Sequence, residues 1–122
     1  MITSKLVTAT SVTVPEVVFT STTTGLSGGT EQQSAVTTIS LCNTAAVTLT
    51  DETANQVSVN VYFAKKGIGA QTSNLVVANL TIPAGETVFF SEERMVLDGG
   101  DEIYVGTSSA SKIAVTVSSL AV

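Results

Sequence analysis

The sequence predicts an all-β domain, an antiparallel β-sandwich or jelly-roll-like fold, on three observations. Apolar and polar residues alternate with a period of two along most of the chain, β-branched Val and Thr are dense, and clusters of Gly, Pro, Asn and Asp interrupt the alternation at short intervals. Successive side chains of a strand point to opposite faces, so this rhythm sends every second residue into a core. No segment repeats apolar residues at helical spacing over three turns, and a parallel sheet would need the crossover helices that such segments supply. At 122 residues and 12.5 kDa the chain has the size of one domain, able to bury a core without disulfides or a metal.

Taken in order, Lys5 to Val14 and Val17 to Thr20 alternate weakly and predict two N-terminal strands. Ser21 to Ser34 is rich in Thr, Ser and Gly, with Gly28 and Gly29 at its centre, and predicts a long loop or flexible arm. Residues 1–34 are therefore expected to form N-terminal strands with this arm, and residues 35–122 the sandwich body. Val36 to Cys42 is the next strand, with Ile39 and Leu41 on one face, and Asn43 to Thr50 another. The clearest strand runs from Val57 to Phe63, with Val57, Val59, Val61 and Phe63 inward and Ser58, Asn60 and Tyr62 outward. In the strand that follows, Val76, Ala78, Leu80 and Ile82 share the core face.

Ile82-Pro83-Ala84-Gly85 has the signature of a type I turn, with proline second and glycine fourth. Thr87 to Ser91, Met95 to Leu97 and Glu102 to Gly106 are further strands, and Ser91 to Arg94 has room for a single helical turn at most. Leu97-Asp98-Gly99-Gly100-Asp101 is a second tight turn. Asp51 to Asn55 and Lys65 to Gly69 form loops, and Ile113, Val115 and Val117 give the inward face of the last strand.

Composition narrows the function. With a net charge of −5 and five basic residues, the chain cannot build the basic stripe that displaces counterions from nucleic acid. No stretch approaches the run of about 18 apolar residues that spans a bilayer, so no membrane partner is expected. Met1 to Lys5 leads into alternating residues and not into the apolar run of a signal peptide, which disfavours secretion by that route. The absence of histidine removes the commonest general base and the imidazole metal sites. Cys42 stands alone, without a disulfide partner or thiolate cage, and suits a small buried strand residue.

Glu92, Glu93, Asp98, Asp101 and Glu102 form an acidic cluster, but their spacing misses the calcium-loop pattern, and carboxylates beside tight turns ordinarily bond turn amides. Gly25, Gly28 and Gly29 lack the strand and helix of a phosphate loop, and Lys65 and Lys66 read as a solvated loop tip. No catalytic residue, cofactor or metal ligand is expected, and the chain is expected to act by binding or assembly. Tyr62 and Phe89 are the aromatic candidates for an interface, joined by Tyr104, Gly28 and Gly29.

Asn79-Leu80-Thr81-Ile82-Pro83-Ala84-Gly85-Glu86-Thr87, then Met95 to Val105 with Leu97-Asp98-Gly99-Gly100-Asp101-Glu102-Ile103, and the closing strand from Lys112 to Val117 resemble small virion structural proteins of tailed bacteriophages. The resemblance covers roughly Val36 to Val122 and rests on turn signatures. It implies a capsid decoration or cement protein that oligomerises on the particle as a homotrimer and contacts the major capsid protein, or alternatively a tail, neck or fibre module. It implies no catalytic residues, and a virion location after assembly in the host cytoplasm.

Overall fold

The computed structural model describes residues 1–51, 53–91 and 95–122. Among the described residues nine strands form the β-sandwich: β1 (Ile2–Leu6), β2 (Glu16–Thr20), β3 (Ser34–Asn43), β4 (Val57–Ala64), β5 (Leu75–Ile82), β6 (Thr87–Phe90), β7 (Met95–Leu97), β8 (Glu102–Thr107) and β9 (Ile113–Ala121). One sheet has the order β1-β9-β3-β6, with β7 pairing the same side of β3 beyond β6; the other has the order β2-β8-β4-β5. Every pairing is antiparallel. The pairs β1–β9, β2–β8, β3–β6 and β4–β5 are those of one long ribbon wound on itself, which is the jelly-roll arrangement.

The core lies between the sheets and is almost wholly aliphatic. Val57, Val59 and Val61 from β4 meet Val105 and Ile103 from β8 on one side and Leu41, Val115 and Val117 on the other. The inward faces expected for β4 and β9 hold, because each strand has one face sealed against the opposite sheet. A two-residue period is legible wherever that condition applies.

Elsewhere the structure departs from the simple rhythm, and each departure has a local cause. In β5 the alternation slips by one residue: Asn79 adopts a positive φ of 51°, and the pairing with β4 shifts register between Val59 and Val61. The buried Asn60 side chain holds this bulge, its Oδ1 accepting the Asn79 N–H at 2.7 Å. Ile82 and Leu80 therefore face the core as expected, but Val77 replaces Ala78 and Val76 there, and Val76 is exposed.

The first predicted strand ends at Leu6; Val7 and Ala9 then pack into the core, and the segment around Val12 crosses the outer face of β4 and β8. Val7 donates to Ile113 O, the Thr107 hydroxyl donates to Ala9 O at 2.9 Å, and the Tyr62 hydroxyl donates to Val12 O at 3.0 Å. A Cβ on Gly106 would stand 2.4 Å from Val12 O, so only glycine lets this segment approach. Tyr62 and Asn60 point outward from the core as expected, but this segment leaves each only 5% exposed.

Asn43 to Thr50 is not a strand. β3 stops at Asn43, whose buried side chain donates to Asn55 O and Ile82 O and accepts the Ala45 N–H, turning the chain out of the sheet. The turn after β5 is displaced by one residue from the expected type I turn. Glu86 N–H donates to Pro83 O, so proline is first and Gly85, at φ 76°, third, the position at which a type II turn demands positive φ. Ser91 to Arg94, where a helical turn was considered, falls largely outside the described residues. A short 3-10 turn at Thr72–Asn74 was not foreseen.

The long connection expected over residues 21–34 is present, but it is packed on the body and not a free arm. Ser21 and Thr22 are buried, the Ser21 hydroxyl donates to Gln32 O at 2.6 Å, Thr23 N–H donates to Thr30 O, and Thr22 bridges Glu31. Residues 1–34 also supply a strand to each sheet.

Glu16, at the start of β2, ties residues 7–15 to the sandwich edge. Its carboxylate pairs with Lys5 at 2.7 Å and accepts the Thr8 and Ala9 N–H groups and the Thr8 hydroxyl. Burial alone pushes its pKa up, but the Lys5 ammonium and the Thr8 and Ala9 donors outweigh it and hold the group below its usual 4.5. The unfolded chain then binds this proton more readily than the folded one. The stabilisation is complete above about pH 4.5 and is lost as pH falls through the lower folded value. Urea unfolding at pH values from about 3 to 6 is expected to show a flatter acid limb for Glu16→Gln, with lower stability than wild type at the neutral end.

Candidate interaction surface

A two-sheet sandwich has two open sides, where edge strands of opposite sheets face each other. On one, β1 and β2 meet and the 21–34 connection closes over them: a Cβ at Gly25 would lie 2.4 Å from the Thr3 hydroxyl and 3.3 Å from the Phe19 ring. A depression there is lined by Thr3, Lys5, Thr20 and Glu102 among others, and its cation is engaged by Glu16 and by Val17 O.

The opposite side, between β5 and the β6 and β7 pair, is open and largely apolar among the described residues. A groove of about 420 Å³ is lined by Val36, Ile39, Val61, Phe63, Val76, Val77, Phe89, Phe90, Ser91 and Met95. Phe89 is 65% exposed and Val76 47%. The outer strand on this side, β5, carries no charged residue over its eight positions. Natural edge strands are usually guarded by charge or proline, and β5 has neither over its length.

The sequence-predicted interface residues are not brought together. Phe89 lies at the groove as an exposed aromatic. Tyr62 and Tyr104 are direct partners across β4 and β8 on the outer face of the other sheet. There Tyr62 is covered by residues 7–15, while Tyr104 is half-buried and donates to Glu102 at 3.2 Å. Burial, then the negative charge of Glu102 and this bond, push the Tyr104 pKa above 10.0. Gly28 is at the exposed tip of the 21–34 connection with open space around it, and Gly29 packs against the Thr22 and Thr24 side chains.

The groove residues Val76, Phe90 and Met95 escaped the sequence reading. For Val76 the reason is the bulge at Asn79, which inverts the faces of β5 before it. The signal was an asparagine, a residue tolerant of positive φ, inside an otherwise apolar strand.

The acidic cluster does structural work where it is described. Asp101 Oδ1 accepts the Lys66 N–H and Oδ2 the Asp98 N–H, both at 3.0 Å, closing the turn between β7 and β8. Lys66 pairs with Glu31, and Lys65 lies 3.9 Å from Asp98. Glu92 and Glu93 lie outside the described residues. Among the described residues no three His, Cys, Asp or Glu side chains are grouped as a metal site. No protein-family model, no curated protein and no solved structure matches the chain.

Proposed function

We propose that this protein is a virion structural protein of a tailed bacteriophage, a capsid decoration or cement protein that acts as a homo-oligomer on the shell of the major capsid protein. The observation that carries the reading is the apolar groove beside the uncharged β5 edge, a surface suited to docking on another protein. Jelly rolls serve viral capsids, lectins and cupins alike, so the fold alone does not select among them. The turn pattern from Asn79 to Val105 adds the resemblance to phage particle proteins. Closed symmetry on a particle multiplies individually weak contacts, which suits a chain whose exposed surface is Thr- and Ser-rich with few charges.

The test is co-sedimentation of the purified chain with particles from the encoding phage assembled without it. Saturation at a copy number of the same order as the major capsid protein is expected. Saturation at a few copies per particle would transfer the protein to the tail, neck or fibre. Val76→Asp puts a carboxylate in the groove at an exposed position and is expected to weaken particle binding at least tenfold, roughly 1.4 kcal/mol, with an unchanged circular dichroism spectrum. Undiminished binding of Val76→Asp would remove the groove from the contact.

A further inference from the structure

The two sheets differ in what covers their outer faces. The four-stranded sheet is partly roofed by the segment of its own chain around Val12, over β4 and β8 where Tyr62 and Gly106 lie, with Asn60 buried beside them. The five-stranded sheet has no such roof among the described residues. Cross-strand register defines the rows on its outer face: Leu6, Ala114, Cys42 and Thr87 in one, Ser4, Thr116, Ser40 and Phe89 in the next, Ile2, Ser118 and Thr38 in a third, and Leu120, Ala35 and Val96 in the last. None of these side chains is charged, in a chain whose net charge is −5. Lys5, the one charged residue on the strands of this sheet, projects the other way to Glu16 and Val17.

We propose that this face is where a second copy of the chain docks, sheet against sheet about a two-fold axis. Charge chemistry selects the occupant. A copy of this acidic chain repels its twin less where the meeting surfaces are neutral, and the described side chains in the rows of this face are all uncharged. Hydroxyls both donate and accept, so rows of Ser and Thr complement a copy of themselves, which carboxylate or ammonium rows do not. The central side chains are Ser, Thr, Ala and Cys, of nearly equal height, and leave a flat surface on which two sheets can stack at about 10 Å. Ile2, Leu6, Phe89, Val96 and Leu120 stand exposed at its margin, placed to be buried on pairing. A two-fold contact produces an even number of copies, a dimer if alone or a pair of rings if a three-fold contact exists elsewhere. This surface meets the groove at Phe89 but its centre lies on β9 and β3, and it shares with the proposed function the premise that copies associate.

The experiment is sedimentation-equilibrium mass of the full chain and its variants. Wild type is expected at an even multiple of 12.5 kDa, and Thr116→Arg, which puts a charge at the centre of the face, is expected to halve that mass. Ser4→Arg, in the same row on the outermost strand, repeats the test where Thr116→Arg does not fold. Thr81→Arg, on the other sheet, is expected to leave the mass unchanged. A monomeric or odd-numbered wild type, or a mass indifferent to both face variants, overturns the inference. Particle binding is read separately: its absence with the mass step intact defeats only the decoration reading, and the converse defeats only this one.

Discussion

Phe19→Ala is expected to destabilise the domain by about 3–5 kcal/mol, the usual cost of deleting a buried aromatic ring, and to lower the melting temperature by roughly 10 to 20 °C. Phe19 heads the fully buried side chains by volume, and its neighbours in the core are Val, Leu and Ile, too short to collapse into the space a ring would leave. Against a total stability of about 5–15 kcal/mol for an ordinary domain, the loss is a large share. The ring also supports the connection at Gly25, which accepts the Thr20 N–H through its carbonyl. Amide exchange at Thr20 and Thr23 should therefore accelerate beyond the global loss of stability. Phe19→Leu, which retains most of the volume, should cost less than half as much by thermal or urea melting.

Asn43→Ala is expected to cost about 2–5 kcal/mol, although it removes no apolar surface. The side chain is fully buried and joins three backbone groups: its amide donates to Asn55 O and Ile82 O, each at 2.9 Å, and its carbonyl oxygen accepts the Ala45 N–H at 3.0 Å. Alanine orphans Ile82 O and Ala45 N–H in the interior, at about 1–3 kcal/mol each. Asn43→Asp keeps the acceptor but sets a carboxylate against two carbonyl oxygens. Its urea midpoint should lie below wild type at neutral pH and recover in part on acidification, as the protonated group regains one donor. An Asn43→Ala midpoint within experimental scatter of wild type would mean that this bracket does not hold the end of β3.

These two residues also show what sequence does and does not disclose. Phe19 sits in a short apolar run that the sequence marks as a strand, but a bulge between Val17 and Phe19 buries both Val18 and Phe19, so the rhythm alone does not single out the ring. Asn43 reads as one more polar residue in an alternating stretch. Ala45, Val47 and Leu49 continue the rhythm after it, yet Leu49 is 96% exposed, because alternation reports spacing and not whether a neighbouring strand exists to pair with. Tyr62 points outward as its spacing implies, but its burial was not legible for a non-local reason: its cover comes from Val12, fifty residues earlier. Phe89 was legible as an outward aromatic on β6. The groove was not, since it is assembled from the margins of two sheets, and its β5 wall depends on one asparagine bulge.

The position of β9 between β1 and β3 has a bearing on biosynthesis. The ninth strand to leave the ribosome is the interior partner of the first, and β1 has no other strand partner in its sheet. All five rungs of the β1–β9 ladder must wait for residues 114–118 to emerge. β1, with three polar residues among its five, thus stays unpaired until β9 has followed it, which favours late, concerted closure of this sheet.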